Sequence, residues 1–110
     1  MFLEPTILAS AARTATVASQ PINVEGCKTA NIYLKSAAGT GTTPTLDVTI
    51  QDSPDGTNWY TVDTAFTQVT NAASTQVKRL TNFGKFLRVN CVIAGTSPSF
   101  TFQVDGNFKS

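Results

Sequence analysis

The sequence predicts an all-β protein: an antiparallel β-sandwich, jelly-roll-like in layout, with an extended N-terminal arm or edge strand. Three observations carry this. From residue 28 onward, apolar and polar side chains alternate with the period of two that a half-buried strand requires. Clusters of Gly, Pro, Asn and Asp interrupt the alternation about every eight to twelve positions, the spacing of a sandwich or small barrel. No segment places its apolar residues at helical spacing.

The elements follow in order. Thr6–Val17 (TILASAARTATV) is rich in Ala and Thr, with one alternating register through Ala11, Arg13, Ala15 and Val17. Such a segment has few apolar anchors, so residues 1–20 read as an arm or edge strand ordered by a partner, and residues 21–110 as a single sandwich domain. Pro21 and Gly26 mark a bend. In NIYLK (31–35), Ile32 and Leu34 face the core with Ala30, while Asn31, Tyr33 and Lys35 face out. SAAGTGTT (36–43) is a flexible connection. Thr45–Gln51 then sets Leu46, Val48 and Ile50 against Thr45, Asp47, Thr49 and Gln51. Strands at 58–63 and 66–70 follow, then a polar turn at 71–74 and a strand at 75–80 with Val77 inward. FLRVNCVI (86–93) is partly apolar on both faces, which predicts a central strand. AGTSP (94–98) reads as the last hairpin, and 99–105 turns Phe100, Phe102 and Val104 inward.

Between two of these strands lies QDSPDGTNWYTV (51–62). Its aspartates, Asp52 and Asp55, are three apart with Pro54 between them, and no glutamate follows in residues 57–110, so the ligand spacing of a calcium loop is missing. A turn accounts for each residue. Asp52 or Ser53 accepts a backbone N–H, Pro54 presets its φ, and Gly56 takes the left-handed conformation. Alternation then sends one of Trp59 and Tyr60 inward. Burial favours Trp59 in the core and Tyr60 as the exposed ring.

Composition narrows the function classes. A 110-residue chain of 11.7 kDa fits one domain and buries about 60–70% of its unfolded surface without staples. Charged residues make up 14%, against about 25% in an average soluble domain, and Thr, Ser, Ala, Asn and Gln take their place. Eight Lys and Arg against seven Asp and Glu leave a net charge of +1, which supports neither nucleic acid nor an anionic membrane as partner. Arg88, between Phe86 and Asn90, reads as a structural ion pair with an acid on an adjacent strand. Apolar runs are too short for a membrane-spanning helix, and Glu4 and Pro5 break the pattern of a signal peptide, so the chain reads as cytosolic or released by lysis. In that setting Cys27 and Cys91 read as buried free thiols, although pairing stays open.

The chain has no histidine, which removes the usual general base, the Ser/His and Cys/His nucleophile pairs and most zinc sites. No GxxxxGK[ST] or GxGxxG is present, and Gly39-Thr40-Gly41 lacks a strand–loop–helix setting. The sequence therefore predicts a non-enzymatic protein with no catalytic residue, metal site or cofactor.

Taken together, SAARTATV (10–17), PTLDVTIQDSPDGTNWYTV (44–62) and GKFLRVNCVIAGTSPSFTFQVDGNF (84–108) resemble the arm, hairpin and closing strands of small β-sandwich virion proteins of tailed bacteriophages. The resemblance spans nearly the whole chain, and its motifs are structural. It implies assembly in the host cytoplasm into a virion, most directly as a capsid decoration or cement protein. A neck or tail completion protein is the alternative, and a small carbohydrate-binding module is the alternative of a different class. The implied partners are the major capsid protein or other virion subunits, met as a homo-oligomer or symmetric array. Candidate contact residues are Phe2, Leu3, Ile7, Leu8, Arg13 and Tyr60, with Phe108 and Lys109 at the other end.

Overall fold

The computed structural model describes Phe2, Leu3 and residues 6–110, with side chains from Thr6 onward. Among these residues there is no helix. The strands are β1 (Phe2–Leu3), β2 (Thr6–Arg13), β3 (Val17–Ala18), β4 (Ile22–Asn23), β5 (Thr29–Ser36), β6 (Thr40–Ser53), β7 (Tyr60–Thr61), β8 (Ser74–Leu80) and β9 (Phe86–Lys109). Every pairing is antiparallel, and the fold is an all-β, sandwich-like curled sheet, as the alternation predicts.

β9, 24 residues long, is the spine. Its C-terminal half lies between β5 on one side and β1 and β2 on the other, and β8 extends that leaf beyond β5. Its N-terminal half lies between β6 on one side and β3 and β4 on the other, and β7 extends that second leaf beyond β6. The two inner faces close on one core, in which Ile32, Leu34, Leu46, Phe100, Val104 and Phe108 are 0% exposed. Burying each such side chain contributes about 1.5–3 kcal/mol.

The expected hairpin at 94–98 is instead a bend within β9, and the reason is parity. Leu87, Val89, Cys91 and Ile93 point inward before it, and Phe100, Phe102 and Val104 after it. Odd positions give way to even ones, which an alternating strand achieves only with an irregularity. Gly95 (φ 120°) and Ser97 (φ 49°) supply it, facing Gly41 (φ 109°) and Thr43 (φ 46°) on β6. A Cβ on Gly95 would lie 2.8 Å from the Thr43 carbonyl oxygen, so both conformation and close approach require glycine there.

β8 also departs from expectation. Val77 points outward, 41% exposed, because Leu80 sets the phase by burying opposite Ala30. Gln76 and Lys78 therefore face the sandwich margin. The Gln76 amide donates to the Thr67 carbonyl and accepts from the Thr67 N–H, both at 2.8 Å, while Lys78 lies 4.0 Å from Asp63. The expected strand at 66–70 is an irregular edge, tied to β6 through Phe66 N–H to Val48 and a bridge between Val69 and Leu46. Cys27 and Cys91 are free, and burial pushes the Cys91 thiol up to about 12.

Candidate functional site

The N-terminal strand is built on β9. No side chain of β2 is fully buried: Ile7, Leu8 and Arg13 are half-buried and the others exposed. Ile7 and Leu8 pack against the core, and Ile7 Cδ1 lies 3.1 Å from where a Cβ on Gly106 would stand. Arg13 Nη2 donates to the Ala9 carbonyl at 2.8 Å, and Nη1 donates to the carbonyls of Phe102 (3.0 Å) and Ala11 (3.3 Å). Its guanidinium also stands over the Phe102 ring, 4.9 Å from the centroid. Arg13 thus ties the first strand to the spine. Beyond it, Thr16 Oγ1 accepts from Ile93 N–H and Ser19 Oγ from Val89 N–H, and strands on both sides of residue 20 pair with β9.

The other candidate contact residues separate. The backbones of Phe2 and Leu3 pair with Lys109 and Phe108, and their side chains lie outside the described residues. Tyr60 is 60% exposed on β7, and Lys109 is exposed where β9 ends. Phe108 is corrected: at 0% exposure it has no surface to offer a partner, because the even-numbered positions after the bend all face the core.

Trp59 is a second correction. It is half-exposed and stands over Arg88, whose guanidinium is 4.3 Å from the ring centroid and whose Nε donates to Gln51 Oε1 at 2.8 Å. Arg88 is therefore held by an amide and an aromatic face, not by an acid on an adjacent strand. The turn beforehand places the indole there. Ser53 Oγ accepts from the N–H groups of Gly56 (2.7 Å) and Asp55 (3.2 Å) and donates to Asp55 Oδ1. Asp55 accepts in turn from the Asn58 and Thr57 N–H groups and the Asn58 amide, and these bonds hold its carboxyl well below the usual carboxylate range. Gly56, at φ 82°, lets the turn lie against the Phe86 ring.

The outer face of the leaf that carries β5 and β8 holds an apolar pair outside the candidate set. Tyr33 and Val77 are register partners and each 41% exposed. Around them, Arg79 donates to Asn31 Oδ1 at 3.0 Å and Gln103 to Asp105 Oδ2 at 2.8 Å. Alternation in NIYLK places Tyr33 outward, whereas Val77 depends on the phase of β8, which one buried residue, Leu80, sets.

A shallow open hollow of about 360 Å³ is lined by Gly41, Thr43, Pro44, Thr45, Thr70 and Asn71, with no titratable side chain. Among the described residues no three His, Cys, Asp or Glu side chains gather as a metal-binding group, and no helix is long and apolar enough to cross a membrane.

No family model matches the chain, and no curated protein matches it. Among solved structures it is similar to PBSX exported protein XepA, with a TM-score of 0.68 at 13% sequence identity over 98% of this chain. The chain spans 37% of the length of that structure. A second structure, described as "CBM4 structure and function", gives a TM-score of 0.49 at 18% identity and covers 96% of this chain and 66% of its own. The likeness to XepA is one of fold.

Proposed function

We propose that this chain is a non-enzymatic structural protein of a tailed-bacteriophage particle, first as a capsid decoration protein that stabilises the head through repeated contacts. A neck or tail completion role is the alternative placement. The observation that carries the reading is the character of the outward sheet faces. On the outer face of β5, β8 and β9, Thr75, Val77, Asn31, Tyr33, Thr101 and Gln103 present apolar and uncharged polar surface, and the charges among them are Lys35, Arg79 and Asp105, so a neighbouring subunit that packs on Tyr33 and Val77 leaves most of that face with few charges to desolvate. The motif resemblance supports the same reading, and the fold is shared with PBSX exported protein XepA. The partners are the major capsid protein or other virion subunits, and many individually weak contacts sum over a symmetric array. Quantitative mass spectrometry of purified particles tests this: many copies per particle at a fixed ratio to the capsid subunit support it, and absence from the particles refutes it.

A second reading, a small carbohydrate-binding module, is favoured by Trp59 and Tyr60, two rings outside the core beside Arg88 and Gln51. A glycan array with Trp59→Ala and Tyr60→Ala controls separates the two. Binding abolished by either substitution supports the module, and uniform silence leaves assembly.

A further inference from the structure

We propose that β2 is an exchangeable strand: in assemblies of this protein it leaves its own β9 and fills the equivalent socket on a second copy of the chain. The proposal goes beyond the particle reading and is tested on the purified protein alone.

The strand and its socket are built unequally. Of the five strands longer than two residues, β2 alone buries no side chain fully. Its register with β9 breaks between Thr6 and Leu8 and again between Leu8 and Ala11. The β9 half that forms the socket is well buried by comparison. Phe100, Phe102, Val104 and Phe108 are 0–1% exposed, Gly106 leaves the space into which Ile7 fits, and the Phe102 carbonyl and ring receive Arg13. Most determinants of the pairing thus belong to the acceptor, and the strand contributes one latch and two half-buried aliphatic side chains.

The connection to the body permits exchange. Thr14 and Ala15 carry no strand pairing and Thr16 is pinned to Ile93, so residues 14–15 form the hinge, and β1, which pairs with β9 ahead of β2, leaves together with it. In the exchanged state β2 lies in the second copy's socket, so only the hinge Thr14–Ala15 spans the gap, roughly 7 Å at about 3.3 Å per residue. Exchange therefore takes place between copies in direct contact, with the two sockets side by side. Exchange repeats the same contacts between chains, and its equilibrium is set by concentration, which a lattice of neighbours raises locally. Plain edge-to-edge addition fits less well, because the register of β2 is irregular.

Ala12 and Thr101 are register partners with exposed side chains, which makes exchange readable by cysteine pairing. A mass-tagged A12C chain is mixed with T101C, incubated at increasing concentration and oxidised. A control mixture pairs A12C with T96C, an exposed position whose register partner is Thr42. The expected result is a disulfide-linked heterodimer several-fold more abundant than in the control and rising with concentration. Heterodimer at the control level, with the A12C/T101C double variant closing within single chains at every concentration, overturns the proposal. Arg13→Ala removes the latch and is expected to speed heterodimer formation about tenfold or more; an unchanged rate overturns the latch. Exchange without incorporation into particles, or incorporation without exchange, tells the two readings apart.

Discussion

At the scale of single residues, placement relative to the core decides what each side chain does. Phe108 and Lys109 are neighbours with opposite fates. Phe108→Ala is expected to cost about 3–5 kcal/mol of stability through cavity formation, and Lys109→Ala within about 0.5 kcal/mol, both measured by denaturant unfolding. Equal effects would contradict the assigned orientation of β9. Asp55 supplies a pH dependence. Its folded carboxyl lies well below the ordinary value of 3.8, so its turn contributes stability that is full above that value and is lost as pH falls through the range below it. Asp55→Asn is expected to flatten the acid limb of the stability profile, and an unchanged slope would contradict the capping bonds. Phe108 was legible as an apolar residue near the chain's end but not as a core residue, because the parity change at residues 94–99 reverses which positions face inward. Trp59 was misread for a different reason. Burial preference places a lone tryptophan inside, and the competing stack on Arg88 becomes visible only when Gln51 and Arg88 are known to be register partners.

At the scale of elements, alternation located the regular strands well and failed where geometry is irregular. NIYLK, Leu46–Ile50 and Leu87–Ile93 lie in strands with the expected faces, since a strand with one buried face has its register fixed by its own sequence. β8 carries one fully buried residue, Leu80, and a pattern with so little apolar weight does not reveal its phase. AGTSP has turn composition, and composition alone does not distinguish a hairpin from a bend in a continuing strand. Gly95→Ala tests the bend: the added Cβ meets the Thr43 carbonyl at a positive φ, and a loss of at least about 1–3 kcal/mol is expected. A neutral substitution would mean that β9 does not turn there as described. For the first strand, deletion of residues 1–12 is expected to abolish incorporation into particles while the chain stays folded by circular dichroism. Normal occupancy after deletion would remove the strand from the assembly account.

At the scale of the whole molecule, the two inner faces of the curled, sandwich-like sheet close on one core. The buried Cys91 thiol reports on the integrity of that sandwich. With burial holding it up to about 12, alkylation at neutral pH is expected to follow global unfolding, and fast labelling of the folded protein would contradict the packing. The position of the chain in an assembly is not written in alternation or turns, because decoration, completion and sugar-binding sandwiches satisfy the same core rules. A low-resolution map of the purified particle tests the central claim most directly. The account predicts an 11.7 kDa density repeated at symmetric positions, over the capsid surface for a decoration protein or as a ring for a neck or tail protein. A particle whose density is fully accounted for by other subunits would contradict it.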